Sequence, residues 1–586
     1  MSELLDRRWK AGVLIAWIAV AAALIWVRWA QIEGLGLSDT DDNLRLAQVR
    51  ALLDGQHWFD LAQHRLSPPE GANIHWSRIV DLPLAGLILL FEPFMATPWA
   101  GRWAAAIAPM IPLGLGLFAA ALVTRRMIDP RAWPIGIAVA LCAHIALSMW
   151  SPMRIDHHGW QLALLLTSLA GFADPRGRRG GATAGLASAV SLAIGLEMLI
   201  FIVAVAGLIA LLWVRDEREA GRLQTYGASL AGGTAIGFLL FASWANRAPV
   251  CDALSPVWIS ALIPAGAALF ALPMLRLATW PLRLGSAAVA GGAIGLVFVL
   301  LWPDCLTNPF GVSDAARTMW LDNVREAKPI YGHGWRTGLR AIALPLVGLI
   351  GAGVMAWRLR RDPEAMRWAM MALLSLVSTG LLFVQLRVAP GAQLIAVAGA
   401  SALGWLLLAR IRTLTSMPAR IVGTLAVFGV ITGYVTFIPT TLFPERPNAA
   451  LRQSRAMAAR CRREADLAAV GAQPQGLVLT QVDLGPRLIV TTHHDAIAGP
   501  YHRNGEAIVE IMRTFEGDEA AARAMIARRG VDYVLICPTL GETQLYRRAG
   551  SDSFAAHLIA GRAPEWLEEI ALLEDSPLRL WRVRRD

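Results

Sequence analysis

The sequence predicts a polytopic α-helical membrane protein followed by a C-terminal α/β domain on the outer side of the membrane. Three observations predict it. Of the 586 residues, 55% are hydrophobic and the mean hydropathy is +0.48, more apolar surface than a soluble chain can hide. Apolar runs of about 20 residues, the length that crosses a hydrocarbon core, recur along the first three quarters of the chain. From residue 440 onward the pattern changes to short strands and amphipathic helices.

The first span is read at 11–30. Arg7, Arg8 and Lys10 precede it and no small-residue cleavage site follows, so it is expected to be an uncleaved helix with its N-terminus inside. Residues 31–100 then form a large outer loop. Within it the apolar stretch 81–94 is short and flanked by Pro83 and Pro93, which predicts a helix lying at the interface. Counting it as a span would invert everything after it. Excluding it puts Arg125-Arg126, the cluster at 176–179 and the arginines of 215–222, 358–361 and 410–420 all inside.

The other spans are read at 101–124, 132–150, 158–173, 181–196, 199–214, 225–245, 257–275, 284–302, 339–357, 367–386, 389–409 and 419–438. This gives thirteen spans, with outer segments 31–100, 151–157, 246–256 and 303–338. The membrane domain is residues 1–439 and the outer, periplasmic domain is 440–586. The net charge of +10 is carried largely by arginines in inner loops, so no nucleic-acid partner is needed to explain it. In the tail, 476–482 and 531–537 read as strands, and 506–515 and 518–529 as helices, a βαβ-like order. Heavy Ala, Arg, Gly and Pro usage fits a bacterial inner-membrane protein.

Four of the five cysteines fall in outer segments. Cys251 and Cys305 sit in two outer loops, Cys461 and Cys537 in the tail, and an oxidising compartment permits two bridges. Cys142 lies within a span and reads as packing.

Three polar motifs converge on the outer side. Asp39-Thr40-Asp41-Asp42-Asn43 follows the first span. The Asp and Asn residues ahead of Leu44–Leu53 read as the N-cap of a helix there, although a cap does not need three aspartates. Asp156-His157-His158 follows the third span. Asp156 and His158, two apart, face the same way on extended backbone, and carboxylate with imidazole suits Mn²⁺ or Mg²⁺. Glu326 lies in the loop between spans nine and ten, and Arg387 at an outer span end reads as a clamp for phosphate. Glu197 is an intramembrane carboxylate, and His75 beside Trp76 is a further candidate.

These motifs resemble those of the catalytic subunits of oligosaccharyltransferases, the large GT-C membrane glycosyltransferases. Asp39, Asn43 and Arg45 match the spacing of the family's first-loop Asp, and Asp156-His157-His158 its second, DxH-like motif. Asn323–Glu326 keeps the mobile-loop Glu without its leading Thr or Ser, and Leu386-Arg387-Val388 is similar to the context of the donor-binding Arg. The resemblance implies a divalent metal, Mn or Mg, on Asp39, Asp156, His158 and Glu326. It implies Arg387 on the phosphate of a polyprenyl-linked sugar donor and Asp39 or Asp41 orienting or activating the acceptor.

The tail departs from the family. Where the family carries a Trp-Trp-Asp motif, this chain reads Thr480-Gln481-Val482-Asp483-Leu484-Gly485. Loss of both tryptophans predicts a lipid or polysaccharide acceptor rather than a protein sequon. Asp483, His493, His494, Tyr501, His502 and Arg503 are then the acceptor-side candidates. The rival readings are a protein oligosaccharyltransferase with a divergent acceptor pocket and a transporter or flippase. A transporter would gather its polar groups at mid-membrane on broken helices, often in inverted repeats, and the sequence has none evident.

Overall fold

The computed structural model describes residues 6–443, 449–547 and 550–585. Each of the thirteen apolar segments is helical, from Trp9–Val27 to Met417–Ile431. Among the described residues, six helices are long and apolar enough to cross a membrane. A seventh is counted if Met417–Ile431 and Tyr434–Leu442, bent by 87° against each other, are one span. The segment read at 132–150 breaks at Ala143 into Trp133–Cys142 and His144–Ser148. The backbone N–H of Ile145 freed by that break donates to Gln393 Oε1 at 3.1 Å, which gives the freed donor a partner.

The helix Ala389–Ile411 is buried along most of its length. It presses on Trp335–Arg358 so closely that a Cβ on Gly351 would overlap the carbonyl of Gly399. Small residues let the two backbones approach, as helix pairs in lipid require. The stretch read as interfacial is the 11-residue helix Asp81–Phe91. Its outer face exposes Leu82, Leu89 and Leu90. Its start is fixed by buried ion pairs from Asp81 to Arg45 at 2.7 Å and Arg78 at 3.0 Å.

In the first outer segment, β1 (Ala62–Gln63) and β2 (Ala72–Asn73) form a short antiparallel hairpin. The tail holds a five-stranded sheet of β3 (Leu477–Thr480), β4 (Asp495–Ala496), β5 (Tyr533–Ile536), β6 (Leu567–Ile570) and β7 (Arg579–Val583), in the order β4-β3-β5-β7-β6. β3 is parallel to both β4 and β5, and β7 is antiparallel to β5 and β6. The helices Gly505–Glu516 and Glu519–Arg529 lie between β4 and β5, so the crossover from β3 to β5 is the βαβ-like unit the sequence predicts.

The sheet does not stand alone. Ser67 N–H donates to the Ala496 carbonyl at 2.8 Å, and Ala496 N–H to the Arg65 carbonyl at 3.0 Å. The first outer segment thereby covers the β4 edge, which would otherwise present unpaired backbone groups. Leu44, Ile74 and Trp76 of that segment share a core with Val478, Leu488 and Tyr501 of the tail. Cys251 is bonded to Cys305, tying the segment at 246–256 to that at 303–338, and Cys461 to Cys537 within the tail.

Candidate active site

Asp39 caps the helix Thr40–Leu53, accepting from Thr40 N–H at 2.6 Å. The cap reading therefore holds, but the carboxylate does more. Its other oxygen receives Arg154 Nη1 at 2.8 Å. The same guanidinium reaches Asp42 at 3.4 Å and Asp156 at 2.7 Å. Arg154 is the hub on which the first and second motifs close.

The turn after it is fixed from both sides. Asp42 Oδ1 accepts from the N–H groups of Ile155 and Asp156 at 2.8 and 3.0 Å. Asp156 Oδ1 accepts from His158 N–H at 3.1 Å, and its Oδ2 lies 3.1 Å from His158 Nδ1. The Asp156 and Asp42 side chains are fully buried, whereas that of Asp39 is 47% exposed. Asp39 is therefore the carboxylate of the set that faces incoming material.

The charge balance separates the four aspartates. Burial opposes ionisation at Asp39 and Asp156, but Arg154 outweighs it and holds both below the ordinary carboxylate range. Burial, then the Asp39 and Asp156 charges, push Asp41 up to about 7. Burial also raises Asp42 well above its usual value. Among the described residues Asp41 makes no hydrogen bond or ion pair. Arg154 and His158 thus balance Asp39 and Asp156, while Asp41 and Asp42 are held towards the neutral acid, and a bound cation would let them ionise. Asp39, Asp156 and His158 offer the oxygen and imidazole donors that suit a hard or borderline divalent ion.

Glu326 and Arg387 are brought together: the guanidinium of Arg387 grips Glu326 Oε1. Both side chains remain partly exposed, Glu326 by 56% and Arg387 by 36%. Burial opposes ionisation of Arg387, but the charges of Glu326, Glu197 and Asp41 hold its guanidinium above the ordinary range. Glu197 sits between the helices Gly177–Ile194 and Leu199–Arg215. It receives Gln161 Nε2 at 2.7 Å and lies 2.9 Å from His157 Nε2. Trp76 forms the wall next to His157, 5.7 Å between rings, with the Arg45 guanidinium 4.5 Å from its own ring.

The tail candidates divide. The Tyr501 hydroxyl donates to the Thr40 carbonyl at 3.0 Å, beside the first motif. Burial raises the Asp483 carboxyl above its ordinary value, against the pull of Arg462 3.8 Å away. The side chains standing where the family has its tryptophans are turned inward. Gln481 is buried and bonded to Cys537 and Thr543, and Val482 is buried in the domain core.

His493 and His494 are not brought to the cluster. Their Nε2 atoms pair with the carbonyls of Gln473 and Val470 inside the α/β domain, each at 2.9 Å. His502 and Arg503 instead meet Asp252, next to Cys251 in the loop at 246–256. His502 Nε2 lies 2.5 Å from Asp252, and Arg503 forks onto it with two bonds of 2.7 Å.

Arg487 was not singled out by sequence reasoning, yet it holds the tail against the first motif. Its buried guanidinium donates to the carbonyls of Leu35 and Arg462 at 2.7 Å, and to Asn43 Oδ1 at 3.3 Å. Asn43 in turn donates to the Asp39 carbonyl at 2.7 Å. A lone Arg at the start of a short helix carries no signal in one sequence.

No family model matches the chain, and no curated protein matches it. Solved structures do. The archaeal oligosaccharyltransferase AglB from Archaeoglobus fulgidus, in complex with an inhibitory peptide and a dolichol-phosphate, superposes with a TM-score of 0.68 over 96% of this chain and 73% of that one, at 15% identity. The A. fulgidus oligosaccharyltransferase tethered to an acceptor peptide with the NVT sequon gives 0.63 at 15% identity, over 97% of this chain and 74% of that one. The A. fulgidus enzyme in complex with zinc and sulfate gives 0.61 at 15% identity, over 91% and 68%. The chain thus shares the fold of the archaeal oligosaccharyltransferases.

Proposed function

We propose that this chain is a multi-pass membrane glycosyltransferase of the GT-C type. It takes a sugar or oligosaccharide from a polyprenyl phosphate or pyrophosphate and transfers it to a lipid or polysaccharide acceptor. The observation that carries this reading is the meeting of Asp39, Asp156 and His158 around Arg154. The thirteen helical segments are read as spans of a bacterial inner membrane. Residues 1–439 are read as the membrane domain and 440–586 as a periplasmic one, an orientation that keeps the arginine-rich loops inside.

Asp39, Asp156, His158 and Glu326 would hold the divalent ion, Mn or Mg, whose charge favours departure of the anionic lipid phosphate. Arg387 offers a planar fork to the same phosphate. It can do so only after Glu326 lets go, so the Glu326–Arg387 pair describes a resting state of the loop. Asp41, without a partner of its own, is the group left to orient an incoming hydroxyl or take its proton. Asp39, exposed and fixed by Arg154, faces the same space.

The acceptor reading rests on Gln481 and Val482. With both turned into the domain core, no tryptophan pair is offered to the Ser or Thr of a sequon. The neighbouring folds that hold peptides keep a protein acceptor as the second reading. A transporter is disfavoured because the charged candidates gather around one set of outer loops.

The test is a transfer assay with purified protein and a labelled polyprenyl-pyrophosphate sugar. It is run with Mn²⁺, Mg²⁺ or chelator, and offers a membrane lipid extract, a polysaccharide and a sequon peptide. Label moving to lipid or polysaccharide, and lost on chelation, is expected. Label on the peptide selects the second reading. No turnover of donors of either phosphate count contradicts the assignment.

A further inference from the structure

A second group of metal-ligating side chains stands apart from the aspartate cluster. His75 comes from the first outer segment, Asp252 from the loop at 246–256, and His502 from the tail, and their ligand atoms lie within 4.8 Å of one another. The rings of His75 and His502 sit 4.6 Å apart. Asn246 Nδ2 donates to the His75 backbone carbonyl at 3.3 Å, but among the described residues the His75 ring makes no hydrogen bond, so one imidazole of the group has nitrogens still to be used.

The third ligand is oriented from behind. Arg503 forks onto Asp252 and leaves it facing the two rings. Arg503 is then the outer-shell partner that a ligating carboxylate commonly has.

There is also a way in. Asp252, His502 and Arg503 line a solvent-open cavity of about 800 Å³, walled by the bridged loops around Cys251 and residues 304–313 on one side and by 502–507 on the other.

We propose that His75, Asp252 and His502 form a second metal site, for a transition ion of the Zn²⁺ class. Two imidazoles and one carboxylate match the donor set and count that zinc takes when a fourth position stays open, and here that position faces the cavity. The ion joins three segments far apart in sequence and fixes the wall of the cavity where the loops meet the tail. The site is independent of the transferase reading, since it uses none of the residues assigned to the donor phosphate.

The test counts zinc on full-length purified protein, stripped with chelator, dialysed against Zn²⁺ and measured by mass spectrometry. Asp156→Asn with His158→Ala disables the first cluster. That protein is expected to keep one zinc per chain, and adding His75→Gln and His502→Gln to take the count to zero. The glutamines leave the Arg503–Asp252 pair intact, and circular dichroism of both stripped proteins controls for folding. Zinc absent from the first variant, or still present at one per chain in the second, overturns the proposal: the cluster is then an Arg–Asp–His tie only. Activity does not enter the count, so failure here leaves the transferase reading standing.

Discussion

Arg154 donates to Asp39 at 2.8 Å across 115 residues of chain. This bond, with the one from Arg154 to Asp156, turns two separate outer turns into one site. It also means that the carboxylates are held by a permanent internal cation.

Removing that cation leaves the carboxylates Asp39, Asp42 and Asp156 without it. Arg154→Met is expected to cost about 3–5 kcal/mol, the range for stripping one partner from a buried ion pair. Arg154→Lys keeps the charge but loses the fork and falls between. Unfolding of detergent-solubilised protein measures both, and a melting point for Arg154→Met equal to wild type contradicts the hub role.

The Glu326–Arg387 pair predicts the opposite separation. Both side chains are partly exposed, so Glu326→Gln should change stability by no more than about 1 kcal/mol. Transfer should fall on the order of 100-fold, as when one charge-stabilising group is lost. Unchanged turnover with unchanged stability removes Glu326 from the mechanism.

Asp252 supplies an acid-side signature. Its folded value lies below its ordinary 3.8, so its contribution to stability is fully present above about pH 4 and is lost as pH falls below that. The stability difference between wild type and Asp252→Asn should be constant from neutral pH down to about 4 and shrink below it. A difference that grows on acidification contradicts the Asp252–Arg503–His502 tie.

Glu542 behaves in the reverse sense. It accepts from the N–H groups of Val482 and Asp483, both at 2.9 Å. Burial, then the Asp483 charge, raise it from 4.5 to about 7. Its contribution is therefore fully present below about pH 4.5 and is lost as pH rises through 7. Wild type should lose stability relative to Glu542→Gln over that window. Parallel pH–stability curves for the two proteins would falsify this.

The helical segments were legible because apolar runs of spanning length cannot be hidden, and the tail strands because β3 and β5 are apolar runs bounded by turn residues. Asp39, Asp156 and His158 were legible from residue type and spacing. Arg154 stands in the same five-residue string as Asp156, yet nothing in one sequence marks an arginine as the centre of a three-carboxylate network. Asp252 and His502 are 250 residues apart, and their pairing exists only once the tail folds back on the loops. His493 and His494 drew notice as a polar run, but backbone carbonyls inside the α/β domain account for them. Glu326 and Arg387 were assigned to separate tasks because the sequence does not show that the loop rests on the arginine.

The most direct measurement is glycan profiling of source cells lacking this protein, complemented with wild type or with Asp156→Asn plus His158→Ala. A surface glycoconjugate should disappear, return with wild type, and stay absent with a double variant that is made and folded. Full restoration by the double variant would contradict the central claim, because the Asp39–Asp156–His158 cluster would then hold nothing the reaction needs.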